Sequence, residues 1–196
     1  IELVITWVNR ILFLKLLEAQ QIKYHKGDEN FAYLNSKKIK GFDDLNTLFF
    51  QVLSRKTNER SEEIKKLFAL VPYLNSSLFE ISTLEDRCFT ISQLKDNELQ
   101  LFAATVLKEN TGKKKSGKMG VLEYFFEFLE AYDFSSEGSE EIQEENKTLI
   151  NASVLGLIFE KINGYKDGSF FTPGFITTNM CRETIRRAVV QKFNEV

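Results

Sequence analysis

IELVITWVNRILFLKLLEAQQI, residues 1–22, decides the fold class. Leu3, Val4, Trp7, Val8, Ile11, Leu12, Leu14 and Leu16 cover more than one face of a helix, and a helix apolar on several sides is expected to be buried. The run is not a membrane span. Glu2, Asn9, Arg10 and Lys15 interrupt it, and a spanning helix needs about 20 mostly apolar residues. It also lacks the basic leader and small-residue cleavage site of a signal peptide. The chain opens on Ile within an apolar run, so it is expected to be a piece of something longer.

The same periodicity continues outward. Pro72 and Pro173 are the only prolines, so long helices are not interrupted. Phe42, Leu45, Leu48, Phe49, Val52 and Leu53 follow helical spacing, with Asp43 and Asp44 at the end of the helix where the dipole favours acids. Ile64, Leu67 and Phe68 mark a third helix and Leu99, Phe102, Val106 and Leu107 a fourth. Leu122, Phe125, Phe126, Leu129 and Tyr132 mark a fifth, and Leu149, Ile150, Val154, Leu157, Ile158 and Ile162 a sixth. Phe175, Met180, Ile185, Val189 and Phe193 mark the last. The expected fold is mainly α: an irregular bundle of about seven helices with at most one or two short strands, the candidates being residues 31–34 and 78–82. Most of the 18 phenylalanines fall at core spacing. Two segments read as mobile solvated loops: residues 108–120, rich in Lys and Gly, and residues 135–145, rich in Glu.

Composition narrows the function. The chain has 196 residues, 43% hydrophobic and 28% charged, which is ordinary for a globular protein. Its net charge of −2 excludes the global basic field of a small autonomous DNA-binding domain. Cys88 and Cys181 are its only thiols; this is no disulfide framework and fits a reducing cytoplasm. His25 is the single histidine, so a His-based triad or a zinc site would need it, and it reads better as a surface residue. Neither the phosphate-binding Gly-x4-Gly-Lys loop nor Gly-x-Gly-x-x-Gly is present.

Residues 151–180 are the informative stretch. They read as helix, glycine-punctuated loop, helix. Gly164 is placed to end the first helix. Thr172 is placed to N-cap the second, and Pro173 to occupy its first turn. The free N–H groups of that turn suit an anion such as a carboxylate, and Gly168 and Gly174 leave room beside it. On the residues alone, an ordinary loop and cap is the favoured reading. Glu160 is either a loop-orienting acid or a helix-surface one.

Leu155-Gly156-Leu157-Ile158-Phe159-Glu160, followed by Gly168-Ser169-Phe170-Phe171-Thr172-Pro173, resembles the entry to the catalytic domain of the N6-adenine DNA methyltransferases. In that family a Leu-Gly-x-x-Tyr/Phe-Glu helix leads to a Gly-x-Tyr/Phe-Tyr-Thr-Pro turn beside the S-adenosylmethionine pocket. Asn9 to Glu18 resembles the helical segment that follows the nuclease in type IIG restriction-modification enzymes, and Val71 to Glu80 resembles their Pro-Tyr-Leu-Asn-Gly-Gly-Leu-Phe-Glu segment. The resemblance therefore spans nearly the whole chain. Phe171 stands where tyrosine is common, and Ser76-Ser77 replace the paired glycines.

The resemblance implies a helical connector over residues 1–145 and the N-terminal edge of a methyltransferase domain over residues 146–196. It implies that Gly168, Phe171, Thr172 and Pro173 line the S-adenosylmethionine pocket of the intact parent, with no tight binding by this piece alone. Catalysis would lie elsewhere, because the Asn/Asp-Pro-Pro-Tyr/Phe motif is not in these residues. The nuclease, and any Mg it uses, would lie in a further domain. The parent's partner would be double-stranded DNA, its target adenine flipped out of the duplex. Lys113, Lys114, Lys115 and Lys118 are candidates for phosphate contact, with a solvated loop as the alternative. Arg186, with Arg182 and Arg187, suits either DNA or packing on a further domain, and Lys37, Lys38 and Lys40 read as a solvated turn. The rival to the whole reading is a non-catalytic helical module that positions DNA or binds protein.

Overall fold

The computed structural model describes residues 1–134, 148–150, 152–167 and 172–194. It is mainly α, as the periodicity predicts. The helices are α1 (Glu2–Tyr24), α2 (Phe42–Thr47), α3 (Glu62–Leu67), α4 (Thr83–Arg87), α5 (Val121–Glu130), α6 (Ala152–Asp167) and α7 (Gly174–Asn194). Strands are confined to two short pairs: β1 (Glu98–Gln100) antiparallel to β2 (Lys118–Gly120), and β3 (Tyr132–Asp133) parallel to β4 (Thr148–Leu149). The chain divides into two compact units, Ile1–Asn151 and Ala152–Val196.

In the first unit, α1 turns inward Trp7, Arg10, Ile11, Leu14 and Glu18, the three- and four-residue steps of a single helical stripe. The all-round burial expected of α1 is not observed: Val4 is exposed, and Leu3, Val8 and Leu12 are half-buried. Two of the five buried positions, Arg10 and Glu18, are charged, so the buried stripe is partly polar. Glu18 accepts the backbone N–H groups of Tyr33 and Leu34 at 2.6 and 2.7 Å and the Lys15 ammonium at 2.6 Å. It thereby satisfies a loop that has no ladder partner. Burial, and secondarily the Glu18 charge, push the Tyr33 phenol far above its usual range.

α2 runs on as a wider π-type helix, Leu48–Leu53, and Leu45, Leu48, Phe49, Val52 and Leu53 are all buried. Phe79 sits against Phe49 and Phe13, each at 6.1 Å between ring centroids. Arg60 ties the following loop down, donating to the carbonyls of Arg55 and Val71.

Several expectations are corrected. Residues 99–107 are not a helix: Leu99 pairs with Met119 across the β1–β2 ladder, and the chain then turns. A helix not expected from the spacing is α4, started by a reciprocal capping box between Ser82 and Glu85. Residues 31–34 and 78–82 are not strands; each includes part of a 3-10 turn, Glu29–Phe31 and Ser77–Phe79. Residues 108–120 are a hairpin arm and not an open loop: Lys108 bridges Lys114, and Gly112 and Gly117 take positive φ at its turns. Gly164 does not end its helix, which continues to Asp167. The carbonyl of Pro173 accepts the Thr177 N–H at 3.2 Å, so Pro173, not Thr172, holds the cap position of α7. Phe42, Phe49, Phe68, Phe79, Phe126 and Phe134 are buried, but Phe89, Phe102, Phe175 and Phe193 are exposed. The Glu-rich segment 135–145 lies outside the described residues.

Candidate functional site

Two of the segments quoted above, residues 9–18 and 71–80, are joined through one side chain. Arg10 donates from Nε to the Leu78 carbonyl at 2.6 Å and from Nη2 to the Glu80 carbonyl at 2.8 Å. Its two terminal nitrogens also grip the Glu85 carboxylate, Nη2 at 2.9 Å and Nη1 on the other oxygen. Trp7 Nε1 donates to Glu85 at 2.8 Å, and the Ser82 hydroxyl and N–H donate at 2.8 and 2.9 Å. The guanidinium lies 5.6 and 5.1 Å from the ring centroids of Phe49 and Phe50. Arg10 and Glu85 are each 1% exposed.

Burial by itself would raise the Glu85 pKa. The hydrogen bonds from Arg10, Ser82 and Trp7 outweigh it and hold the carboxyl at about 2. Each nitrogen of the Arg10 guanidinium is engaged, and Arg10 and Glu85 are both buried, so the node locks α1, α4 and the 78–80 segment together rather than performing chemistry. Sequence reading passed over it. Ser82-x-x-Glu85 was a legible helix start, but its link to Trp7 and Arg10 spans more than 70 residues.

The turn at residues 168–173 is partly described. Thr172 and Pro173 are exposed at the start of α7, where the Pro173 carbonyl also accepts the Ile176 N–H at 2.9 Å. Gly168 and Phe171 lie outside the described residues. Glu160 is half-buried on α6.

The basic candidates separate. Lys115 is half-buried and paired with Glu127 of α5 at 2.6 Å. Lys113, Lys114 and Lys118 are exposed on the hairpin, with Lys114 Nζ 3.4 Å from the Ala103 carbonyl. Arg186 is exposed on α7, 3.7 Å from Glu183, and Arg182 and Arg187 are exposed beside it. His25 stacks on Phe31 at 3.8 Å and meets Tyr24 edge-on. Among the described residues no group of three His, Cys, Asp or Glu side chains converges as a ligand set, and no helix is long and apolar enough to cross a membrane.

A family model described as "Domain of unknown function (DUF7814)" matches residues 1–150. The chain is also similar to a Methanocaldococcus jannaschii protein whose name assigns it provisionally to the type II restriction enzymes and methyltransferases. The two are 29% identical over 213 residues, covering 96% of this chain. The chain spans only 15% of the length of that relative. No solved structure matches.

Proposed function

The chain belongs to the DUF7814 family, and from that premise we propose that it is the helical connector of a type IIG restriction-modification enzyme, together with one edge of its methyltransferase domain. The parent would methylate adenine N6 in DNA with S-adenosylmethionine and cut DNA through a separate nuclease domain. The observation that carries this reading is similarity along 96% of the chain to a protein named for restriction and methylation. The quoted motifs add the finer assignment.

In this reading residues 1–145 form the connector, and residues 146–196 begin the methyltransferase. The exposed start of α7 fits a contact edge for the cofactor. The open N–H groups of its first turn and its positive dipole end suit the carboxylate of S-adenosylmethionine; Gly168, Phe171, Thr172 and Pro173 are the residues assigned to the pocket. The bound cofactor supplies the transferable methyl group; this chain's residues would bind and orient it. The apolar residues of α7 also fit a helix enclosed by further polypeptide: Phe175, Met180, Ile185 and Phe193 are each more than 60% exposed.

The test is cofactor affinity of the full-length polypeptide carrying Thr172→Val, with a weaker Kd for S-adenosylmethionine expected. Unchanged affinity would remove these residues from the pocket. A second reading, a helical module that positions DNA without a cofactor role, draws on the hairpin that holds Lys113, Lys114 and Lys118 outward. It predicts steeply salt-dependent duplex binding by the chain itself.

A further inference from the structure

We propose that the hairpin and the outer side of α5 bind an unpaired stretch of nucleic acid. Its bases would stack on an aromatic row that begins at Phe102, and its phosphates would meet Lys108, Lys113, Lys114 and Lys118. The inference deepens the reading of nucleic acid as the partner and rests on it.

The row is built from two elements. Tyr124 and Phe128 lie one helical turn apart on α5, with ring centroids 6.4 Å apart and planes at 21°. Tyr132 continues the row 5.3 Å from Phe128, and Phe102 joins it from the hairpin 6.5 Å from Tyr124. The core side of α5 is Leu122, Phe126 and Leu129; Tyr124 and Phe128 lie on the other side of the helix and are half-buried, as is Tyr132. Phe102 is 66% exposed. A lone exposed phenylalanine would mean little, but this one is held in place. The Tyr124 hydroxyl is 3.4 Å from Thr105 Oγ1, in the same turn that presents Phe102.

Charge gathers at the same turn. Gln100 pairs with Lys118, the Leu101 N–H donates to the Gly117 carbonyl at 2.8 Å, and Lys114 Nζ reaches the Ala103 carbonyl. The lysine arm therefore runs beside β1 and the turn that follows it, which carries Phe102. Glu127 neutralises Lys115. Among the described residues Lys108, Lys113, Lys114 and Lys118 are exposed and make no ion pair. The opposing acids are Asp96 and Glu98 beside β2, Asp133 next to Tyr132, Glu109 near the hairpin tip, and Glu123 and Glu130 on α5. By helix geometry the latter two project about 100° or more around the axis from Tyr124 and Phe128.

Lysines at phosphate distance serve a duplex or a single strand alike. An exposed ring does not, because in a duplex both faces of each interior base are covered by its neighbours. Unless a wedge kinks and unstacks the duplex, a ring stacks on a base only where the strand is unpaired.

The test is fluorescence anisotropy of the whole chain at low salt, with labelled oligothymidylate of about 16 nucleotides against a duplex of equal length. Tighter binding of the single strand is expected. Phe102→Ala should weaken single-strand binding about fivefold or more and leave duplex binding unchanged, and Phe102→Tyr should restore it. Replacing Lys108, Lys113, Lys114 and Lys118 by Gln should reduce the salt slope for the single strand by about three, at ~0.7 per contact. Equal or tighter duplex binding, absent single-strand binding, or an inert Phe102→Ala overturns the inference. Failure of the parent reading is seen separately in the cofactor affinity of the full-length polypeptide, so either can fail alone.

Discussion

α1 and α7 are near equals as sequence. They run 23 and 21 residues, and each carries large apolar side chains on several sides with charges between them. Their environments differ completely. α1 buries Trp7, Arg10, Ile11, Leu14 and Glu18, whereas α7 buries nothing, with Phe193 79% and Phe175 76% exposed. The difference teaches that apolar spacing makes a helix but does not provide what covers it. α1 has a partner because the residues around Leu78 and α4 arrive with a carboxylate and two carbonyls that match Arg10.

Changes at α1 should therefore be costly and changes at α7 nearly silent. The largest effect is expected from Arg10→Ala, which strands Glu85 in the interior; breaking a buried pair costs about 3–5 kcal/mol, read as a lowered denaturant midpoint. A loss under about 1 kcal/mol would mean that the node is not what seats α1. Leu14→Ala, at a site with no exposure, should cost about 2–5 kcal/mol by the same assay.

Acid titration sharpens the contrast. The Glu85 pKa is lowered in the fold to about 2. The charged carboxylate therefore stabilises the native state fully above the usual glutamate range of about 4.3, and this contribution disappears as pH falls toward 2. The Tm difference between the parent chain and Glu85→Gln should shrink between those values; a constant difference would place the effect of Glu85 outside its ionisation. Lys115→Met should cost under about 1 kcal/mol, since its pair with Glu127 is half-exposed. Smallest of all, Ile185→Ser on α7 should change stability by no more than about 0.5 kcal/mol in this chain. A larger loss would show that α7 is covered after all.

Legibility followed the range of the interactions. α1, α2 and α5 were readable because helical spacing repeats within each of them. The Ser82–Glu85 helix start was readable in principle, since a capping box is complete within four residues. The stretch 99–107 misled because Leu99, Phe102, Val106 and Leu107 mimic a helical stripe, while its backbone instead bonds to residues 115–120. The lysine arm looked like an open loop by composition, although Gly112 and Gly117 supply the turns of a hairpin. The turn at Thr172-Pro173 stood out as a motif, and its cap fell one residue later than the side-chain chemistry of Thr172 suggested.

Sequence alone determined the mainly helical character, the sites of most helices and the three segments whose resemblance underlies the proposed function. These are local properties: spacing, capping and proline scarcity act over a few residues and are written in order along the chain. Tertiary structure alone decided which face of α1 is buried, that Arg10 and Glu85 belong to one node, and that Phe102 stands beside Tyr124 and the lysines. Those facts depend on pairings across 11 to 78 residues. Their physical cause is the need of buried charges and backbone groups to find partners, and no local pattern says where along the chain the partner will be.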